Sequence, residues 1–345
     1  MKVLGKGGYG VVVSDGTHAI KKFEEHRLML REVFATAYMK DSKYIVKIRK
    51  CNYDKLEMRM DIWNCSLDAI LLRSVAGIEK LNEQQKHKIF KDVLSGISDL
   101  HERSLVHADL KPGNILVNKA RTQAVLSDLG LASIAHRARV DLTTDGYCST
   151  EIVYYHRSHD MFSLVLIALQ LFYDYRVTYR PSRETLKGEV EKIVKNQKIK
   201  KCLLRMIPEN PLKTVKASDV LKYLYKKEIP SPPAYRIEYV DLLEPATTKK
   251  ISKRIRKLCD KYEIRRSLKC RNCVLSILAR IGELDNKKIN IYCATMVFAF
   301  SIIFGKRMSI KNLTDEIGNS TIQEVNAVLG TITGCSEVLY YMYAH

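Results

Sequence analysis

Residues Ser104–Asn118 read SLVHADLKPGNILVN, and this stretch decides what kind of fold the chain must build. It holds a carboxylate at Asp109 and an amide at Asn114, with Lys111 between them. Transfer of a phosphoryl group to a hydroxyl uses these three groups: the carboxylate orients the hydroxyl and accepts its proton, the lysine neutralises charge on the moving group, and the amide oxygen binds Mg²⁺. A surface turn rich in His, Asp and Asn is the alternative interpretation. The other motifs along the chain argue against that turn.

The N-terminus carries a glycine-rich motif. Leu4–Val13 reads LGKGGYGVVV, in which a GxGxxG pattern is formed by Gly5, Gly7 and Gly10. The pattern alone is weak, because dinucleotide-binding folds also use it. Those folds need a helix directly after the glycines, whereas the β-branched Val11–Val13 predicts a strand. Ser14–Thr17 then predicts a turn and His18–Lys21 a second strand.

A lysine on this second strand and a glutamate beyond it form the next candidate pair. Lys21 ends the strand segment Ala19-Ile20-Lys21, and Lys22 beside it is predicted to face the opposite side. The segment LMLREVFATAYM that follows has a helical apolar pattern and contains Glu32. Because few residues separate Lys21 from Glu32, this helix must begin abruptly after the strand.

Taken in order, these motifs resemble those of eukaryotic-type serine/threonine protein kinases, and Ser127–Gly130 stands where that family has its metal-binding Asp-Phe-Gly. The resemblance covers about residues 1–228. It implies an α+β class and a bilobal protein-kinase fold, with a small β-rich N-lobe and a helical C-lobe. A Pro-rich and basic linker over 229–250 and an all-α C-terminal region over 251–345 complete the predicted domains. The short loops and diverged motifs are similar to those of kinases encoded by large DNA viruses.

The resemblance also implies a role for each site residue. A serine/threonine kinase that transfers the γ-phosphate of Mg-ATP to protein hydroxyls would use Asp109 as its catalytic base. Lys111 and Thr144 would assist Asp109, and Asn114 and Asp128 would bind Mg²⁺. The residues that the resemblance implies for ATP binding are Leu4, Gly5, Lys6, Gly7, Gly8, Tyr9, Gly10, Val12, Ala19, Lys21, Glu32, Met60 and Leu116.

The chain departs from the family pattern at several places. Leu129 replaces the usual Phe but stays apolar and can still pack beneath the helix that carries Glu32. Ala108 replaces the arginine of the usual His-Arg-Asp, which in the family pairs with a phosphate on the activation loop. Phosphorylation of that loop is therefore not expected to be the main switch. Thr143–Glu151 reads TTDGYCSTE, in which Ser149-Thr150 replaces the family's Ala-Pro. We expect a softer C-lobe that keeps its activity.

Composition limits the class of protein and its partners. The 345 residues are 46% hydrophobic, enough for a sizeable core, and the net charge is +20. This charge favours acidic partners such as nucleic acid. A start without a signal peptide and nine scattered cysteines predict a reducing compartment, cytoplasmic or nuclear. The apolar run Ile291–Gly305 is shorter than the roughly 20 residues of a membrane span, so a buried helix is expected.

The C-terminal part predicts helices and little recognisable chemistry. The predicted helices are Arg265–Ile281, Ile289–Phe304, Ser309–Ile317 and Thr321–Thr331. The last of them faintly resemble half of a cyclin-type fold, and a plain helical extension is the alternative. Cys270 and Cys273 form a CxxC pair without a second ligand pair at zinc spacing, which favours ordinary thiols. The basic Lys249–Lys257 is either an import or phosphate-contacting segment or the exposed face of a helix.

Three functions therefore compete. A catalytic kinase accounts for Lys21, Asp109, Asn114 and Asp128 together, whereas a pseudokinase has no chemical need for all four. A third possibility gives the basic C-terminal part a nucleic-acid-binding role that brings the kinase to its target.

Overall fold

The computed structural model of the protein describes residues 1–7, 10–72, 80–134, 147, 156–178, 181–227, 245–281, 285–303, 308, 310–318 and 322–343. They group into two compact units. The first unit contains Met1–Tyr38, Ile48–Asp61 and the helices from Pro245 onward. The second contains Met39–Lys47 and the described residues that run from Ile62 to Lys227.

The first unit is built on a five-stranded antiparallel sheet in the order β1-β2-β3-β5-β4. The strands are β1 Lys2–Gly7, β2 Gly10–Ser14, β3 His18–Lys22, β4 Ile48–Asn52 and β5 Glu57–Asp61. Asp15 closes the β2–β3 turn by accepting backbone hydrogen bonds from Thr17 and His18. These bonds stabilise the carboxylate and hold the pKa of Asp15 well below its ordinary value. The strand, glycine loop, strand, turn and strand predicted from the sequence are confirmed.

One helix, α1, follows β3 and packs on the sheet. It spans His26–Tyr38 and begins four residues after β3 ends, which is the abrupt start that the sequence predicts. Its side chains contact β4 and β5. Met29 and Leu30 in α1 are fully buried. The helix therefore carries Glu32 at a fixed distance from the sheet.

Six helices complete the first unit. They are α8 Pro245–Lys261, α9 Ser267–Ile281, α10 Asn286–Ile303, α11 Ile310–Ile317, α12 Ile322–Gly334 and α13 Ser336–Tyr343. The central α10 is buried along almost its whole length and packs against α8, α9, α11 and α12. This confirms the predicted buried helix from Ile291 to Ile303, and the last two residues of the predicted range lie outside the described residues. Within the described ranges, no helix combines the length and apolar character needed to cross a bilayer.

Two features of these helices differ from the sequence expectation. The helix α8 begins at Pro245, inside the segment that we assigned to a linker. Its apolar residues Ile251, Ile255 and Leu258 recur at helical spacing and are buried, which leaves the lysines on the outer face. The basic segment therefore forms an exposed helix face, which is compatible with either interpretation of its function. The short helix α13 was not predicted, although Val338, Leu339 and Met342 in its sequence SEVLYYMY recur at helical spacing and are buried.

The second unit is mainly helical. Its helices are α2 Leu67–Leu71, α3 Glu83–Glu102, α4 Ser158–Tyr173, α5 Arg183–Ile193, α6 Gln197–Met206 and α7 Ala217–Tyr225. Asn82 caps α3 by a reciprocal capping box with Gln85. The apolar α4 is buried almost throughout and contacts α3, α5 and α6, so it forms the centre of this unit.

Short strands in the second unit frame the candidate catalytic stretch Ser104–Asn118, called the catalytic stretch below. They are β6 Cys65–Ser66, β7 Leu105–Val106, β8 Ile115–Val117, β9 Ala124–Leu126 and β10 Ser133–Ile134. The strands β8 and β9 form an antiparallel pair in which Ile115 faces Leu126. Val106, inside the catalytic stretch, pairs with Ser133, which follows the Ser127–Gly130 motif. This strand pair fixes the catalytic stretch beside the segment that follows the Ser127–Gly130 motif.

Candidate active site

The catalytic stretch gathers its polar groups around Asp109. Lys111 Nζ donates to Asp109 Oδ2 at 2.8 Å. Asn114 Nδ2 donates to the same oxygen at 3.0 Å and to the backbone carbonyl of Asp109 at 2.8 Å. Asp109 is only 7% exposed. The carboxylate is thus held in one orientation by a cation and an amide, which suits a group that must receive a hydroxyl at a defined angle.

A buried aspartate outside the predicted set positions this stretch. Asp160, in the first turn of α4, is fully buried and accepts the backbone N–H groups of His107 and Ala108 at 2.9 and 3.0 Å. His101 Nε2 lies 2.8 Å from the same carboxylate. Burial opposes ionisation, but the hydrogen bonds and charge from the histidines outweigh it and hold the pKa of Asp160 below its ordinary value. Ala108 adopts a left-handed φ of 68°, which these two bonds stabilise.

Sequence reasoning missed the role of Asp160 and His101, although both belong to segments that match the family. The signal was present in Asp160–Ser163, which resembles the start of the family's central helix, and in the Leu100-His101 pair before the catalytic stretch. Neither segment shows by itself that the two side chains meet. That contact joins residues 59 positions apart.

Asn114 and Asp128 form the candidate Mg²⁺ site. Asn114 precedes β8 and Asp128 follows β9, so the antiparallel pair brings both to the same end. The carbonyl of Asn114 accepts from the backbone N–H of Ser127 at 2.9 Å. Since the Asn114 amide nitrogen donates to Asp109, its amide oxygen is directed away from Asp109. An amide oxygen and a carboxylate are hard oxygen ligands of the kind that Mg²⁺ prefers, so these residues fit the ion.

The candidate phosphate-binding lysine lies in the first unit. Lys21 Nζ is 2.6 Å from Glu32 Oε2, and both side chains are buried, at 7% and 2% exposure. The neighbouring Lys22 is 47% exposed and lies 3.3 Å from Glu57. The structure therefore places the two lysines on opposite sides of β3, as alternation along a strand predicts. Of the two lysines, Lys21 is the one that is buried and paired with a buried carboxylate.

The glycine-rich loop joins β1 and β2. Gly7 pairs with Gly10 across its base, while Gly8 and Tyr9 lie outside the described residues. Gly10 has a φ of 143°, and a Cβ there would lie 2.0 Å from the carbonyl oxygen of Lys22. Only glycine fits this position. Upstream on β1, exposed positions are occupied by Leu4, Gly5 and Lys6.

The residues predicted to contact adenine lie in both units. Ala19 on β3 is buried and pairs with Met60 on β5, which is 6% exposed. Val12 on β2 is half-buried. Leu116 is half-buried on β8 of the second unit. Their contact with a nucleotide stays a prediction.

One predicted catalytic residue cannot be placed. Thr144, like Glu151 in the same stretch, lies outside the described residues. Tyr147 is described between them, and its carbonyl accepts from Ser163 Oγ at 2.6 Å. Its hydroxyl donates to Gln170 at 2.9 Å. Tyr147 is thereby tied to α4, the helix that carries Asp160.

Comparison with known proteins defines the class. The sequence model described as "Protein kinase domain" matches residues 1–263, about three quarters of the chain. The chain therefore belongs to the protein kinase family. The α+β class predicted from the sequence is confirmed, with a β-rich N-terminal sheet and a helical C-terminal part.

Two curated proteins with which the chain shares sequence similarity are much longer than the region that matches. A membrane-associated tyrosine- and threonine-specific cdc2-inhibitory kinase of Drosophila melanogaster is 34% identical over 124 residues, which is 34% of this chain and 22% of that protein. A serine/threonine-protein kinase/endoribonuclease of Arabidopsis thaliana is 26% identical over 279 residues, 65% of this chain and 32% of that protein. The chain thus spans between about a fifth and a third of the length of these relatives.

Proposed function

We propose that the protein is a Mg²⁺-dependent protein kinase that transfers the γ-phosphate of ATP to serine or threonine hydroxyls. The observation that carries the proposal is the cluster in which Asp109 meets both Lys111 and Asn114. Family membership supports the reaction class. The buried Lys21–Glu32 pair supplies the lysine that such a reaction needs at the nucleotide phosphates.

Each residue has a distinct task in the proposed reaction. Asp109 orients the acceptor hydroxyl and accepts its proton as the bond to phosphorus forms. Lys111 lies beside that carboxylate and offsets the negative charge of the transferred group. Bound Mg²⁺, held by Asn114 and Asp128, would neutralise charge on the phosphate oxygens. Lys21 would bind the α- and β-phosphates.

The choice of acceptor rests on the sequence Asp109–Asn114, DLKPGN, which resembles the serine/threonine pattern. Relatives carry names of both kinds: a serine/threonine-protein kinase of Dictyostelium discoideum is 30% identical over 145 residues, 39% of this chain and 30% of that protein, whereas the Drosophila relative is named for tyrosine and threonine. Phosphoamino-acid analysis of the product therefore belongs in the first experiment.

The test is γ-phosphate transfer by the purified full chain to a generic basic protein and to itself, with Mg²⁺ and ATP. Asp109→Asn keeps the size of the side chain and removes its basicity, so we expect transfer to fall by about 100-fold or more. Asp174→Asn, an exposed position at the end of α4, is the matched control. A folded wild type that binds ATP and transfers nothing would identify a pseudokinase.

A second activity, nucleic-acid binding, is favoured by a basic pocket on the C-terminal helices. The described residues that line it are Lys250, Lys253, Arg254, Lys257, Asn286, Lys287, Ile289 and Asn290, and none of them is acidic. Lysines on α8 and α10 thus face a common concave surface. We propose that this surface binds the phosphate backbone of nucleic acid.

Salt dependence tests this binding. Retention on duplex DNA or RNA through about four lysines would weaken with a log–log salt slope of about −3 to −4. Lys253→Ser with Lys257→Ser should reduce the slope by about 2, whereas Lys119→Ser with Lys216→Ser, exposed lysines of the second unit, should leave it unchanged. Absence of retention at low salt would refute this activity.

A viral source and a cytoplasmic or nuclear location stay predictions from the sequence.

A further inference from the structure

The helix α1 is buried on every side. Its buried residues include Met29, Leu30 and the unbroken run Glu32–Thr36. Successive residues of a helix are about 100° apart, so such a run covers the whole circumference. A helix lying on a sheet alone buries one face. The strands β4 and β5 cover one side of α1, and the C-terminal helices α10, α12 and α13 cover another.

An aromatic stack joins α1 to the last helix. The rings of Tyr38, in the final turn of α1, and Tyr343, in the final turn of α13, are stacked with centroids 4.7 Å apart and planes 15° apart. Both are buried, at 7% and 4% exposure. Burial raises the pKa of Tyr343 far above its ordinary value. The contact spans 305 positions in the sequence.

The turn between β4 and β5 is attached to the same helices. Tyr53 Oη lies 3.2 Å from Thr333 Oγ1 of α12. Asn326 Nδ2, also in α12, donates to Asp54 Oδ1 at 2.6 Å. The helices therefore contact α1 and the strand turn beside it.

The helix α1 has few local interactions that would stabilise it in isolation. It has 13 residues, with no acid in its first turn and no base in its last, and a helix of this length is marginal without packing. The Lys21–Glu32 pair does not fix it either, because the desolvation cost of a buried ion pair largely offsets its attraction. The position of Glu32 thus depends on the apolar packing of α1.

We propose that α10, α12 and α13 act as a built-in positioning element that holds α1, and with it Glu32 against Lys21. The catalytic part of this inference rests on the proposed function, because the pair matters only if Lys21 binds ATP phosphates. Tyr343 is the positioning residue whose ring stacks directly on α1. In this protein, a segment of the same chain keeps the phosphate-binding lysine paired.

The test uses three variants of the full chain. Tyr343→Ala removes the stack, and Tyr343→Phe keeps it. Tyr262→Ala is the matched control, since Tyr262 lies just beyond α8 and its hydroxyl bonds Glu316 in α11. Two quantities are measured: hydrogen exchange of the α1 amides without nucleotide, and kcat and KM for ATP.

We expect exchange of the α1 amides to be at least about 10-fold faster in Tyr343→Ala, with kcat/KM for ATP reduced by a similar factor. Tyr343→Phe and Tyr262→Ala should stay within about two-fold of wild type. Unchanged α1 protection in folded Tyr343→Ala overturns the proposal. So does faster exchange with unchanged kinetics.

Two further outcomes are decided by the same measurements. A wild type without phosphoryl transfer refutes the proposed function, and the exchange data then decide alone whether α1 is held. If Tyr343→Ala does not fold, Asn326→Ala replaces it, because this change removes a polar contact without opening the core. It should speed exchange in α1 and the β4–β5 turn by about three-fold, and unchanged exchange in both segments overturns the proposal.

Discussion

Asp160 offers the sharpest prediction, because its carboxylate is fully buried and accepts two backbone hydrogen bonds from the catalytic stretch. Asp160→Ala would leave the backbone N–H groups of His107 and Ala108 without an acceptor. Each buried donor left unpaired costs about 1–3 kcal/mol. With the lost bond from His101, the free energy of unfolding should fall by about 3–8 kcal/mol. That range is comparable with the whole stability of a typical domain.

The measurable variant is therefore Asp160→Asn. Its amide oxygen still accepts one hydrogen bond, but its NH₂ group faces a donor, so we expect a loss of about 2–4 kcal/mol. The chain has a single tryptophan, Trp63, which lies in the same unit as Asp160. Its fluorescence during urea unfolding reports the stability of that unit. We also expect kcat to fall at least about 10-fold, because the stretch that carries Asp109 is displaced.

The control is Asp174→Asn, the same exchange at the other end of the same helix. Asp174 is exposed and has a left-handed φ of 49°, which asparagine tolerates, so the unfolding free energy should change by less than about 0.5 kcal/mol. If Asp160→Asn shifts the urea midpoint no more than Asp174→Asn does, the carboxylate does not hold the catalytic stretch, and the reasoning is refuted.

Three further predictions use the same protein. Lys21→Met should reduce phosphoryl transfer about 100-fold, whereas Lys22→Met on the exposed side of β3 should leave transfer within about two-fold; equal losses would contradict the assignment. Glu316→Gln removes the ion pairs with Lys261 and Arg254, which lower the pKa of this carboxyl group, and should lower the unfolding free energy by about 1–3 kcal/mol. Since the pKa of Glu316 is lowered below 4.5, this contribution is complete above pH 4.5 and is lost as the pH falls through the folded value; a pH series of urea midpoints measures it. Burial raises the pKa of Cys202 to about 11, so iodoacetamide at pH 9 should alkylate it about 50-fold more slowly than an unperturbed thiol, as followed by mass spectrometry.

The local chemistry of the candidate site could be predicted from the sequence because it is short-range. Asp109, Lys111 and Asn114 lie within six residues, so any compact loop brings them together. The same holds for Gly10, whose conformation a tight strand connection dictates. The alternation of side chains along a strand also predicted that Lys21 and Lys22 lie on opposite faces of β3.

The contacts that hold the site could not be predicted, because they join distant segments. Asp160 reaches the catalytic stretch from 52 positions away, and a single sequence carries no signal for such a pairing. The CxxC at Cys270 and Cys273 was interpreted as ordinary thiols, and the structure shows both buried and free. In the part of the chain that the structure describes, no group of three His, Cys, Asp or Glu side chains is placed to bind a metal.

The packing around α1 offers a way to order the catalytic residues that does not need an arginine at the position of Ala108. Ala108 stands where the family has an arginine that pairs with a phosphate on the activation loop, so we do not expect that pairing to order the catalytic residues. The C-terminal helices supply order of another kind, because they share a compact unit with the sheet, α1 and the Lys21–Glu32 pair. Since the buried ion pair contributes little net stability, our proposal makes the position of Glu32 depend on the packing of α1, of which the stack of Tyr38 on Tyr343 is one part. Control of this kinase would then act on the stability of its last helices, and a change that loosens α13 would lower activity without touching a catalytic residue.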